Sequence, residues 1–121
     1  MDHGRRLAEA VAAKDRAGLL DLLDTRVDFK GLTPRRLWEA GSPDEVADVY
    51  LANWIEDSDR VDALAEVEDG PTVEDTEQVR YRFHLSNADG LFSMEQHAYY
   101  RTDGARITYL RVLCSGVRER S

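Results

Sequence analysis

Between Val79 and Arg118 the chain reads as three long strands joined by two turn signals, Asn87-Ala88-Asp89-Gly90 and Asp103-Gly104. This stretch limits the fold more than any other. A four-residue turn at Asn87–Gly90 sets Leu85 opposite Phe92, Phe83 opposite Met94, Tyr81 opposite Gln96 and Val79 opposite Ala98. The other face then pairs His84 with Ser93, Arg82 with Glu95 and Arg80 with His97. Apolar residues gather on one side and unlike charges oppose each other on the other side. A slip of one residue would destroy both patterns.

The register of the closing strand stays open. A two-residue Asp103-Gly104 turn brings Ile107, Tyr109, Arg111 and Leu113 to the inner face. A three-residue loop turns the strand over and buries Leu110, Val112 and Cys114 instead. The first option places a polar row inside, which fits only a pocket.

The front of the chain has helical periodicity. Leu7, Val11, Leu19, Leu20 and Leu23 recur at helical spacing within residues 3–23, with a break near Lys14 and a cap at Asp15; Gly18 weakens the second helix. Val27-Asp28-Phe29 alternates as a short strand, Gly31-Leu32-Thr33-Pro34 turns the chain, and residues 35–41 read as irregular. Ser42-Pro43-Asp44-Glu45 is a capping-box start, followed by an apolar stripe Val46, Val49, Tyr50 and Trp54. That helix is expected to fray near Glu56–Asp59, where acidic residues oppose the dipole. Residues 61–67 form a further strand, and 72–77 a polar loop. Helices first and a sheet after define an α+β layout over a single domain, residues 1–121.

The net charge of -8 argues against nucleic acid or an anionic membrane as partner, since both require a clustered positive face. No apolar run is long enough for a membrane span or a signal peptide. The lone Cys114 cannot form an internal disulfide, which fits a reducing cytoplasm. Of sixteen basic residues only Lys14 and Lys30 are lysines, the usage of a GC-rich bacterial genome.

With these elements in place the chain resembles the nuclear transport factor 2-like superfamily, which includes ketosteroid isomerases and SnoaL-like polyketide cyclases. The resemblance rests on the opening helical pair, the Val27-Asp28-Phe29 strand and the Ser42-to-Trp54 helix. It rests too on the closing run Glu95–Tyr100, Asp103–Ile107 and Cys114–Gly116. It implies a cone-like, strongly bent, antiparallel or mixed sheet on about three N-terminal helices, a cystatin-like α+β barrel with a pocket at its wide end. It also implies a homodimer through the outer sheet face. There Tyr99 stands with Leu110 and Val112, or with Tyr109 and Leu113, according to register. The isomerases of the superfamily carry a catalytic Asp after the first short strand; Asp28 stands beside that slot, Phe29 takes the inward position, and no Tyr lies on the first helix.

Two uses of such a cone are in view. Non-catalytic binding of a small hydrophobic or aromatic molecule draws on Trp38, Tyr50 and Trp54 as walls and on Tyr81, Gln96 and Arg111 as polar contacts. A cyclase- or isomerase-type enzyme would take Asp28 as base and Tyr81 or Tyr100 to polarise a carbonyl. Each residue has a plainer role: the aromatics as core, Tyr81 and Gln96 as a satisfied buried pair, Arg111 as an exposed side chain. A third use is protein interaction through the outer face. His84 and His97 fall on that face, His3 falls in a disordered end, and Cys114 reads as a small buried hydrophobe. Neither a metal site nor a cofactor motif stands out: His84, His97 and Glu95 lack a fourth ligand, and there is no phosphate-binding glycine loop.

Overall fold

The computed structural model describes residues 2–120. Helix α1 (His3–Ala12) is capped by Asp2, whose carboxylate accepts from the Arg5 N–H, and α2 (Arg16–Leu22) by Asp15, which accepts from the Gly18 N–H. Gly18 looks like a weak point on propensity alone, but a Cβ there would lie 2.5 Å from the Asp15 carboxylate. The cap needs that space. His3 is no frayed end: it opens α1, is buried, and its Nε2 lies 3.1 Å from the Ala105 carbonyl.

Lys14, between the helices, has φ +51°. The left-handed conformation costs a non-glycine residue about 1 kcal/mol. Its ammonium group offsets this by donating to the carbonyls of Glu56 and Asp59 across the fold. That contact helps correct the expected frayed end after Trp54. The Asp59 carboxylate accepts from the Glu56 N–H and from the Asn87 amide, so this loop is tied at three points.

The third helix, α3 (Pro43–Asp48), starts as expected. Ser42 Oγ accepts from the Glu45 N–H, while the Glu45 carboxylate accepts from Ser42 Oγ and the Gly41 N–H. The helix then widens into a π-turn, Val49–Trp54, closed by Ile55 N–H donating to the Tyr50 carbonyl at 3.0 Å. In a π-turn, residues five apart share a face. Val49 with Trp54 and Tyr50 with Ile55 are such pairs, and all four are buried.

The strands are β1 (Leu23–Thr33), β2 (Arg36–Ala40), β3 (Arg60–Asp69), β4 (Glu77–Asn87), β5 (Gly90–Thr102), β6 (Ile107–Cys114) and β7 (Arg118–Glu119). They form one curved mixed sheet in the order β2-β1-β6-β5-β4-β3, with β7 on β5. Among the described residues only the β1–β6 pair is parallel. The sheet wraps the helices as a cone. The β4–β5 register is the one the sequence dictates, including Tyr81 opposite Gln96 and Arg82 opposite Glu95. On the outer face Arg80 and Arg82 pair with Glu66 and Glu95, at 3.0 Å and 2.9 Å for the closest contacts to each.

One sequence reading needs correction here, and one left open is decided. The first strand is eleven residues long and runs through Gly31, and residues 36–40 are strand, with the turn at Thr33–Arg36. Leu37 and Glu39 alternate with Trp38 and Ala40, a period-two pattern within the segment read as irregular. In the last hairpin, Thr102 pairs with Ile107 but Arg101 pairs with Tyr109, so one extra residue bulges out. The bulge lets Ile107 and then Leu110, Val112 and Cys114 all face inward. The loop itself is held by Asp103, whose carboxylate accepts from the Ala105 and Arg106 N–H groups.

Gly31 is the tightest point of the cone wall. A Cβ there would sit 2.6 Å from Trp54 Cη2 and 2.7 Å from Cζ2, so the indole packs directly on the strand backbone. Gly31→Ala is expected to cost about 1–3 kcal/mol of stability by overpacking, measured as a lower urea midpoint at unchanged slope. An unchanged midpoint would show that Trp54 can withdraw freely.

Candidate ligand site in the cone

Five elements converge inside the cone. Tyr81 on β4 and Gln96 on β5 are opposed, and Cys114 on β6 is the next partner of Gln96. Phe29 comes from β1, and Tyr50 and Trp54 from the π-turn. The rings pack closely: Tyr50 and Trp54 centroids are 5.0 Å apart, Phe29 and Trp54 5.9 Å, Phe29 and Tyr50 6.0 Å. Trp38 meets Trp54 edge-on at 6.4 Å, with its own indole N–H donated to Thr33 Oγ1 and the Arg36 guanidinium over its outer face.

The polar groups in this cluster are poorly served. The Tyr50 and Tyr81 hydroxyls are 3.4 Å apart, a long contact. Gln96 exposes 0% of its surface, and its Nε2 reaches only two sulfurs, Met94 Sδ and Cys114 Sγ, at 3.5 Å each. Gln96 Oε1 and Trp54 Nε1 have no hydrogen-bond partner among the described residues. Burial pushes the Tyr50 phenol up, and burial then the neighbouring Tyr50 push Tyr81 well up. Burial likewise raises the Cys114 thiol. Among the described residues the buried polar or charged ones, apart from Gln96, are His3 at the start of α1 and Asp59 in the loop after the π-turn.

Several expected site residues lie elsewhere. Arg111 points outward, donates to the Asp28 carbonyl at 2.9 Å, and stacks over Tyr109 at 4.1 Å; the bulge at Thr108 in β6 put it there. Asp28 is exposed on the same outer side, paired with Arg111 at 3.3 Å, because Val27 and Phe29 take the inward positions of β1. It therefore cannot act as a base inside the cone. Tyr100 faces inward, but its hydroxyl accepts the Gly4 N–H at the start of α1. Its pKa is pushed up to about 12, by burial and then by Glu77. His84 and His97 sit on the outer face as expected, His97 stacked on Tyr99 at 4.6 Å. No group of three or more metal-ligating side chains comes together among the described residues.

The cone is closed in this structure. Tyr50, Tyr81 and Gln96 are wholly buried, so the open mouth implied by the resemblance is filled by the π-turn's aromatics. The residue the sequence reading missed was Gly31. A glycine inside an alternating strand marks a close approach, and here Trp54 uses it.

With this geometry in hand, comparison with solved structures is informative. Over 94% of its length the chain superposes on a candidate isomerase from Bacillus subtilis, covering 84% of that chain, with a TM-score of 0.74 at 11% identity. It superposes on a candidate polyketide cyclase from Silicibacter sp. with a TM-score of 0.71 at 13% identity, covering 94% of this chain and 87% of the other. An LEH-like epoxide hydrolase from M. tuberculosis gives 0.64 at 10% identity, over 93% and 80%. No protein-family model and no curated protein sequence matches the chain. The chain shares with these solved structures one fold, three helices on a strongly curved mixed sheet.

The buried phenols predict an alkaline signature. Unfolded tyrosines ionise near pH 10, whereas Tyr50 and Tyr81 hold their protons in the folded chain. Below pH 10 these two groups add no pH dependence. Above it the unfolded state releases protons that the native state keeps, so stability falls as pH rises. Urea midpoints from pH 9 upward should fall less steeply in Tyr81→Phe than in the parent; equal slopes would mean the phenols ionise in place.

Proposed function

We propose that this chain is a cytoplasmic small-molecule-binding domain that uses the interior of its cone without acid–base catalysis. One observation supports this reading most: Trp54, Tyr50, Tyr81 and Gln96 are linked in turn by ring, phenol and cross-strand contacts inside the cone, and the buried charged residue among the described ones, Asp59, lies outside them in a loop. Ring faces and a few aimed polar groups are the makings of a binding site for an apolar molecule. The candidate bases for isomerase or cyclase chemistry are poorly placed, with Asp28 outside and Tyr100 engaged by Gly4. Binding requires the π-turn or the Tyr50 side chain to move, because the cone is closed over these groups. The reducing compartment fits an unpaired, buried Cys114, and no helix among the described residues is long and apolar enough to cross a membrane. A native mass spectrum of the protein purified from cells without refolding should show, for each 13.7 kDa chain in the assembly, the added mass of a small organic molecule, lost on denaturation. A bare chain mass from every preparation would speak against a retained ligand.

A second reading concerns the outer face. Leu37, Leu32 and Leu113 are cross-strand neighbours on β2, β1 and β6, and each is about half exposed, at 50%, 48% and 48%. Such a row on a sheet is an association surface. We propose that it lies at a homodimer interface, two copies meeting through the outer sheet. Sedimentation should give twice the chain mass for the parent and a single chain mass for Leu32→Asp with its circular dichroism intact. A monomeric parent at micromolar concentration ends the idea.

A further inference from the structure

The interior of the cone is closed, but a cleft of about 580 Å³ opens on the outer face of the sheet, where β4, β5 and β7 lie side by side. That volume suits a small molecule. One row of paired residues crosses the cleft: His84 on β4 stands opposite Ser93 on β5, and Ser93 stands opposite Arg118 on β7. Directly opposed side chains lie about 5 Å apart at Cβ, so imidazole, hydroxyl and guanidinium can meet on one ligand. The cleft is preformed, because β7 is tied to β5 at both ends. The Ser115 N–H donates to the Glu95 carbonyl at 2.9 Å, and the Arg120 N–H to the Leu91 carbonyl at 3.0 Å.

The groups around this row are already engaged. Glu95 Oε1 accepts from Arg82 at 2.9 Å and from Arg80 at 3.4 Å. Arg120 folds back and donates to the carbonyls of Phe92 and Leu85. Ser115 Oγ accepts from the Glu95 N–H and donates to the Gly116 carbonyl. Glu119 also borders the cleft, but it pairs with Phe92 and so alternates to the opposite side of β7 from Arg118. By contrast, the side chains of His84, Ser93 and Arg118 have no hydrogen-bond or ion-pair partner among the described residues. Each alone would be an ordinary solvated group. Three groups able to donate, set in one row of one cleft, complement a single acceptor.

We infer that this cleft binds the carboxylate of a small organic acid: the Arg118 guanidinium takes both oxygens, and the Ser93 hydroxyl and a His84 ring N–H donate to the remaining lone pairs. One uncommitted positive charge matches a monoanion. A phosphate group carries nearly two charges at pH 7, and would lie near Glu95 and Glu119 in a chain of net charge -8. The site is independent of the cone. It also stands apart from the exposed leucine row, since His97, the β5 partner of Leu113, is about 13 Å along the strand from Ser93.

Lactate, its neutral isostere lactamide and inorganic phosphate, at constant ionic strength, separate the outcomes. Binding is read from the backbone amide resonances of Ser93 and Arg118. Lactate is expected to shift both saturably in the millimolar range, about tenfold more tightly than lactamide, as a charge-assisted hydrogen bond warrants, and more tightly than phosphate. Arg118→Gln should reduce lactate to the lactamide level at the Ser93 amide, with an unchanged urea midpoint. Arg26→Gln, an exposed arginine on β1, should bind lactate as the parent does. Equal binding of lactate and lactamide, tighter binding of phosphate, or full lactate affinity in Arg118→Gln overturns the inference. An equal loss in Arg26→Gln does so as well, because the effect would then be one of net charge. A lowered urea midpoint in Arg118→Gln would make Arg118 structural, and no shift up to tens of millimolar lactate would leave the cleft without its ligand; either result ends the idea.

Discussion

The β4–β5 pairing is the constraint on which the rest of the molecule depends. Its eleven paired positions put Val79, Tyr81, Phe83 and Leu85 on one face and Arg80, Arg82 and His84 on the other. Every other element takes its place from that segregation: the helices cover the apolar face, β3 extends the charged one with Glu66 and Glu68, and β6 adds its own apolar row beside β5. A register fixed by burial on one face and by charge on the other is doubly determined.

Against that frame, the interior is unusual in what it carries. A core built only for stability would use aliphatic groups of known rotamer; this one uses three rings from the π-turn and β1 in tilted and edge-on contact, two phenols in long contact, and an amide bounded by sulfur. Buried polar networks are favourable when complete and costly when partial, and this one is partial. The structural neighbours share the fold at 10–18% identity, a level at which architecture persists while the lining of the cone is free to change. Function has to be argued from that lining, not from the architecture.

The sequence was most legible where two independent signals coincided. Alternation and turn residues together placed β4 and β5, and Ser42, Pro43 and Glu45 together placed the start of α3. Legibility failed where one residue changed the count. The bulge at Thr108 turns Arg111 to the outside, where it holds Asp28, and so decides between two registers that the sequence leaves open; no composition signal marks it. The π-turn had the same effect on the end of α3, since a helical stripe of Val46, Val49, Tyr50 and Trp54 looks alike for either winding. The short β2 was hidden by its length. Of the ligand-binding candidates, Tyr50, Trp54, Tyr81 and Gln96 do meet; their polar frustration is a property of tertiary packing and is written in no local pattern.

The winding at Val49–Trp54 frees the seal of the cone from a strict residue count. Each residue of an α-helix turns the chain by about 100°. In regular winding Trp54, five residues after Val49, would stand about 140° round the axis from it; the wider turn brings the two onto one face. One residue fewer would give the same facing in an ordinary helix, where positions four apart share a face. The winding thus absorbs the extra residue, so the length of this segment can change by one while the indole keeps its seat on Gly31 and the interior stays sealed.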